Sequence, residues 1–159
     1  MSARNATLGE RTSLASRLQQ VIALLDRFPP SLLQLMFRVA IAAVFWNSGL
    51  TKIASWDITI ALFRDEYMVP LLSPEIAAVM SATFELSCSA LIVAGLATRL
   101  ATLPLLGMTF VIEIFVYPEY WTMHLMWASA LVFLLTRGPG VFSLDHYVGR
   151  LFRTKSLAR

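Results

Sequence analysis

The chain has 159 residues, of which 57% are hydrophobic and only 14% are charged, and its mean hydropathy is +0.67. A water-soluble domain of this size carries about a quarter charged residues, so the composition favours a membrane protein over a soluble globular one. The net charge of +3 is modest, which gives no indication of nucleic-acid binding, and the single cysteine, Cys88, excludes an internal disulfide or a CxxC thiol relay.

The N-terminal part of the chain is polar up to residue 12, and an amphipathic pattern begins at Ser13. Its apolar residues recur at helical spacing: Leu14, Leu18, Val21, Ile22 and Leu25. We therefore predict that residues 1–30 form a cytoplasmic and interfacial segment with an amphipathic helix at the membrane surface. A packed soluble helix is the alternative, and Pro29-Pro30 ends the helix in either case.

Four apolar stretches follow the two prolines. Their lengths predict membrane spans at about 32–53, 74–96, 99–117 and 121–136, within a membrane domain of residues 31–137. The connection 55–72 contains four charged residues, too many for the hydrocarbon core, so we expect a short helix on the outer surface there. The predicted fold class is therefore all-α: a four-transmembrane-helix bundle with an N-terminal interfacial helix and a basic cytoplasmic tail at 138–159.

The distribution of Lys and Arg predicts how the bundle is oriented. The predicted spans place ten of these residues on the side of the two termini, and only Lys52 and Arg64 on the other. Because cytoplasmic loops carry the excess of basic residues, both termini are expected in the cytoplasm of a multi-pass inner-membrane protein. Aromatic residues then form a belt at the outer interface: Trp56, Tyr67, Tyr117, Tyr120 and Trp121.

Each predicted span carries an ionisable residue on a definable helix face: Arg38, Glu85, Glu113 or His124. Such residues are costly in the bilayer, so they should face the bundle interior and find partners. Counting about 1.5 Å of rise per residue predicts a structural Arg38–Glu85 ion pair and an outer Glu113–His124 pair capped by Lys52. These pairs either fix the helix register or form a ligand, quinone or proton-handling site.

Sulfur-containing side chains offer a weak alternative for the bundle interior. Cys88, Met108, Met123 and Met126 could suggest soft-metal ligation, but they pack equally well as apolar residues, and we predict no metal site.

Four stretches resemble the DoxX family of small bacterial membrane proteins: RVAIAAVFWNSGLTKI at 38–53, GLATRLATLPLLGM at 95–108, WTMHLMWASALVFLL at 121–135 and GPGVFSLDHYV at 138–148. The resemblance implies a four-helix integral membrane bundle linked to redox chemistry. The family is named for a subunit of a thiosulfate:quinone oxidoreductase, and related members are associated with sulfur, thiol or oxidative-stress systems.

The resulting functional hypothesis is a membrane component of a redox system, linked to quinone. Glu113 and His124 are the candidate catalytic residues and, with Lys52, the candidate quinone-binding residues. The sequence carries no haem, flavin or iron–sulfur signature, so the electrons would come from a soluble redox partner protein. A homo-oligomer is compatible with the sequence.

The alternative to the redox hypothesis is a non-catalytic anchor or assembly subunit that recruits soluble proteins. A small transporter is the third hypothesis, because no inverted repeat or broken helix occurs.

Overall fold

The computed structural model describes residue 17 and residues 19–157, with side chains described as far as residue 150. The described residues fall into two compact units, one that ends at Pro30 and one that begins at Ser31. In the first unit residues 19–25 are helical, and the start of the predicted amphipathic helix, at residues 13–16 and 18, lies outside the described residues.

The second unit is an all-α bundle, as the sequence predicts. Its helices are α1 (Pro30–Ala54), α2 (Trp56–Leu62), α3 (Pro74–Ala94), α4 (Thr98–Val111), α5 (Trp121–Arg137) and α6 (Leu144–Leu157). Two short π-helical turns extend α2 and α4, at Phe63–Tyr67 and Ile112–Val116.

Three of the described helices are long and apolar enough to cross a membrane: α1, α3, and α4 with its π-helical extension to Val116. The fourth predicted span corresponds to α5, whose 17 residues extend for about 25 Å, somewhat less than a hydrocarbon core of roughly 30 Å. A single 3-10 turn, Pro118–Tyr120, precedes α5 directly. That α5 crosses the bilayer stays a prediction.

Local sequence signals explain where α3 begins and ends. The Ser73 side chain accepts a hydrogen bond from the Ile76 amide, and Pro74 at the first helical position needs no partner for an amide hydrogen. At the other end Gly95 adopts a φ of +69°, a left-handed conformation that closes helices. A side chain at Gly95 would also overlap Ser143 and the Arg38 guanidinium.

The core of the bundle follows the helical periodicity of the sequence. It contains ten buried apolar residues from α1, α3, α4 and α5: Ile41, Ala42, Phe45, Cys88, Ile92, Ala101, Leu105, Ala130, Leu131 and Leu134. At Gly49 the helices approach closely, since a Cβ there would meet Leu86 at 2.8 Å. Small residues permit such close approach between membrane helices.

A second, smaller core holds the 56–69 segment against the start of α3. Phe63 is buried on Ala77 and Ala78, and Trp56 and Tyr67 pack around it. The predicted outer connection is therefore a short helix as expected, but its π-helical end is also tied to the bundle.

The C-terminal segment is joined to the bundle by hydrogen bonds. The Asp145 carboxylate accepts from the amides of Ala97 (2.7 Å) and Thr98 (3.1 Å) at the start of α4, and the Asp145 amide donates to the Gly95 carbonyl (2.9 Å). Residues 138–145, expected to begin a separate tail, thus complete one end of the membrane bundle.

Candidate functional site

A cavity of about 530 Å³ lies among α1, α3, α4 and α5, beside the π-helical turn at Phe63–Tyr67. Its surface is mostly apolar, and its aromatic lining includes Phe45, Phe84 and Trp127. The polar lining residues are Ser48, Lys52, Tyr67, Ser81, Glu85, Tyr117, Tyr120 and His124. A concave, mainly apolar pocket with a few converging polar groups is the usual form of a small-molecule site.

One polar cluster on this surface consists of Lys52, Ser48 and Glu85. The Lys52 ammonium donates to Glu85 Oε1 at 2.8 Å and to the Ser48 hydroxyl at 2.9 Å, and Ser48 donates to the same Oε1 at 3.0 Å. The Glu85 side chain is 3% exposed and that of Lys52 is 16% exposed. The ion pair is therefore largely removed from solvent, where a missing partner is costly.

The second polar cluster is the pair of His124 and Glu113. His124 Nδ1 lies 2.6 Å from Glu113 Oε2, and the His124 ring packs at 5.3 Å from that of Trp127. His124 is buried and lines the cavity, whereas Glu113 is one-third exposed and does not line it. Because Glu113 engages Nδ1, Nε2 is the ring nitrogen of His124 that Glu113 leaves free, and of the two residues only His124 borders the cavity.

The predicted Arg38–Glu85 ion pair is wrong. Arg38 belongs to α1, and its side chain is buried against the C-terminal end of α3. It donates to four backbone carbonyls, those of Ile92 (2.7 Å), Val93, Pro139 (3.3 Å) and Phe142. Helix C-termini leave carbonyl groups without partners inside the helix, and the planar guanidinium satisfies several at once.

The predicted role of Lys52 as a cap on the Glu113–His124 pair is also corrected, because its bonds go to Ser48 and Glu85. Lys52 nevertheless lines the same cavity as His124. Lys52, Glu85 and His124 thus all line the same cavity. Arg38 does not line it and is instead hydrogen-bonded to carbonyls of the 138–145 segment.

Sequence reasoning missed the residues that close the cavity near the 55–72 connection. The rings of Tyr67 and Tyr117 pack edge to face at 5.8 Å, and those of Tyr117 and Tyr120 at 5.9 Å. The Tyr117 hydroxyl donates a hydrogen bond to Glu66. Both π-helical turns contribute to the cavity lining, a location typical of such turns. Only the clustering of tyrosines in the sequence pointed to this region.

The bond from Tyr117 to Glu66 predicts a pH-dependent contact. Donation to a carboxylate favours the protonated phenol and raises the pKa of Tyr117 above its ordinary value. Since the folded-state pKa is the higher one, this stabilisation is complete below the ordinary value of about 10 and is lost as the pH rises through the folded pKa. Tyrosinate absorbance is measured as the pH is raised, in the wild type and in Tyr117→Phe. The difference between the two titration curves should show a tyrosine that ionises at a higher pH than an ordinary tyrosine.

The matched variants for that titration are Glu66→Gln and Asp65→Asn. Removing the Glu66 charge should move the Tyr117 step to lower pH, because a neutral amide stabilises the phenol less. Asp65 is the neighbouring exposed carboxylate, and its replacement should leave the step in place. An unchanged titration in Glu66→Gln would show that this carboxylate does not control Tyr117.

The sulfur-containing residues are dispersed. Cys88 is buried in the core, Met108 and Met123 line the cavity, and Met126 is 67% exposed. Among the residues that the structure describes, no group of three His, Cys, Asp or Glu side chains could hold a metal ion.

Comparison with models of known protein families gives a match to this chain. The DoxX family model matches residues 33–118, more than half of the chain, from α1 to the start of the 3-10 turn. No curated protein and no solved structure matches the chain. The apolar helices and the family together identify a multi-pass membrane protein in contact with lipid. The resemblance noted in the sequence is thereby confirmed, and the chain belongs to the DoxX family.

Proposed function

We propose that this protein is a quinone-linked membrane component of a redox system, and that the cavity binds the quinone ring. The observation that carries the proposal is the cavity of about 530 Å³, in which Lys52 and His124 are among the few polar residues of a mostly apolar and aromatic lining. Pockets of roughly 300–1,000 Å³ hold most small organic ligands, and a quinone ring needs apolar contact plus a few groups that bind its two oxygens.

His124 and Lys52 supply chemistry suited to those oxygens. With Nδ1–H donated to Glu113, the His124 Nε2 accepts a hydrogen bond when the ring is neutral and donates one when it is protonated, so it can exchange a proton with a ligand oxygen. Lys52 uses two donors on Ser48 and Glu85, which leaves its third proton for the ligand. The aromatic side chains stack against the ring.

The proposed setting is the bacterial inner membrane, with both termini in the cytoplasm and the cavity towards the outer face. This orientation is supported by the basic residues at the chain ends and by the position of the 55–72 connection. The electron donor is then a soluble redox protein that meets the outer face.

Binding to the purified protein in lipid nanodiscs tests the proposal. Duroquinone should quench tryptophan fluorescence saturably, since Trp127 lines the cavity. His124→Ala should weaken binding about tenfold, equivalent to roughly 1.4 kcal/mol, because a ligand oxygen loses its partner. Gly107→Leu should also weaken it, since Gly107 lines the cavity and no atom lies within 4 Å of the place its Cβ would occupy.

The matched control is Met126→Leu, on the same helix as His124 but outside the cavity lining and exposed. It should bind as the wild type does. The result that would contradict a quinone site is quenching that rises linearly with the duroquinone concentration, does not saturate and is the same in four proteins. These are the wild type, His124→Ala, Gly107→Leu and Met126→Leu. The anchor hypothesis predicts that result together with co-purification of a soluble enzyme.

The role of the 55–72 connection also bears on the anchor hypothesis. Phe63 and Tyr67 face the cavity and pack on one another at 5.0 Å. This arrangement supports a role for the segment in enclosing a ligand, whereas an anchor would use it to recruit a soluble protein.

A further inference from the structure

The cavity reaches the outer surface of the bundle at Gly107. Leu105 of α4 points into the core and is fully buried. Gly107 comes two residues later, about 200° around the helix, so it faces away from that core. Gly107 nevertheless lines the cavity and is exposed, and apart from its own helical turn nothing lies within 4 Å of the place its Cβ would occupy. Because a glycine has no side chain that could reach back into the bundle, the cavity itself extends to this surface.

On α3 the cavity lies on the flank that faces away from α1. Leu86 marks the flank toward α1, since a Cβ on Gly49 of α1 would meet Leu86 at 2.8 Å. Phe84 lies about 200° around the helix from Leu86. It lines the cavity together with Met80, which is 40% exposed. This flank of α3 therefore borders the opening.

On α4 the cavity lies on the flank that faces away from α5. Glu113, in the turn that extends α4, marks the flank toward α5 through its contact of 2.6 Å with His124. Val111 lies about 200° around the helix from Glu113, and Pro104, two turns before Val111, shares its flank. Both residues line the cavity. The opening is therefore a gap between α3 and α4, and five non-polar residues border it: Met80, Phe84, Pro104, Gly107 and Val111.

The opening lies at the middle of two membrane spans. Gly107 is at the centre of the 19-residue segment Thr98–Val116, and Phe84 is at the centre of the 21-residue helix α3. Both segments are long and apolar enough to cross a membrane, and the middle of such a span lies in the hydrocarbon core. The opening therefore faces lipid chains and not water.

We propose that the cavity takes a quinone with a long apolar chain, and that this chain leaves through the gap between α3 and α4 into the hydrocarbon core. The inference rests on the proposed function and names the class of ligand. Glu113, which contacts His124, comes six residues after Gly107. The level of His124 is thus about 9 Å from the opening along α4, a length that the first part of a chain can cross.

The chemistry of the opening selects the chain. Its border offers no side-chain donor or acceptor, so a polar or charged substituent would lose its hydrogen bonds with water and gain none. An alkyl or isoprenoid chain has no such groups, and it passes from an apolar cavity into an apolar medium. A ring bound near Lys52 and His124 can therefore keep its chain in the membrane.

Photolabelling of the full-length protein in lipid nanodiscs locates the chain. The probe is a duroquinone in which a decyl chain replaces one methyl group, with a photoreactive diazirine in the middle of that chain. After illumination, mass spectrometry should find the label on the residues that border the opening. An excess of duroquinone should remove this label, because the two rings compete for one cavity. This measurement needs no variant, so it stays decisive whether or not a substituted protein folds.

Three results would overturn the inference. Labelling of the outer turn at Phe63–Tyr67 would show that the chain leaves at the other end of the cavity. Labelling that duroquinone does not reduce would show a chain dissolved in the surrounding lipid. Absence of label from α3 and α4 would show that lipid or a second copy of the chain covers the opening. If duroquinone itself does not bind saturably, the proposed function fails, and the two failures are thereby distinguished.

A variant with a matched control tests the gap by calorimetry. Met80→Trp places a larger side chain at the α3 edge of the opening. It should lower the affinity for the decyl derivative about tenfold relative to that for duroquinone, equivalent to roughly 1.4 kcal/mol. Val79→Trp makes the same substitution at the neighbouring residue, which is exposed and does not line the cavity, and it should keep the wild-type ratio. Equal ratios in Met80→Trp and the wild type would contradict a chain in this gap.

Discussion

Replacing Arg38 with alanine is expected to lower the free energy of unfolding by about 3–5 kcal/mol, because each buried acceptor left without a donor costs about 1–3 kcal/mol and several would be left. The Arg38 side chain donates to four backbone carbonyls, two at the end of α3 and two in the 139–142 segment. Alanine would leave these acceptors without partners and would disconnect the C-terminal segment from the bundle. Unfolding of the purified protein by detergent titration, followed by circular dichroism, measures the loss.

Two variants make this expectation specific. Arg99→Ala removes an arginine from the same end of the bundle, but Arg99 is exposed and makes a single bond of 3.3 Å to the Thr136 carbonyl, so a change within about 0.5 kcal/mol is expected. Arg38→Lys should be intermediate, because an ammonium has three donors and lacks the planar fork of arginine. Equal losses in Arg38→Ala and Arg99→Ala would show that the buried network contributes little.

The location of Arg38 also shows what periodicity can and cannot predict. Helical spacing alone places Arg38, Ile41 and Phe45 on one face of α1, and the structure buries all three. Depth along a helix brings Glu113 and His124 to the same level, where the structure joins them. The first inference needs only regular helix geometry, and the second holds although Glu113 lies in the π-helical turn Ile112–Val116.

The partners of Arg38 and Lys52 depend on features outside that geometry. Arg38 binds carbonyls of Pro139 and Phe142, and carbonyl groups are present at every residue and leave no pattern in the sequence. Lys52 reaches Glu85 because α1 and α3 meet closely at Gly49, and crossing geometry is set by packing. The π-helical turns and the cavity that they border were not predicted for the same reason.

Lys52→Met is expected to destabilise the bundle by about 3–5 kcal/mol, because it leaves the Glu85 carboxylate charged, buried and without its counter-ion. Glu85 is 3% exposed, and Lys52 supplies the only positive charge bonded to it in the described part of the chain. Methionine keeps most of the apolar stem of lysine, so the loss reports on the charge more than on packing. Unfolding by detergent titration measures it.

The double variant Lys52→Met with Glu85→Gln distinguishes an unpaired charge from lost packing. If the buried carboxylate causes the instability, neutralising it should restore most of the lost stability, and the coupling between the two sites should exceed about 1 kcal/mol. The exposed pair of Arg64 and Glu75, whose side chains are 58% and 55% accessible, gives the matched comparison, and Arg64→Met should change stability by less than about 1 kcal/mol. Additive losses in the double variant would contradict this account, because they would assign the stabilisation to each side chain separately. Restoration would instead show that Lys52 stabilises the bundle by compensating the charge of the buried Glu85 carboxylate.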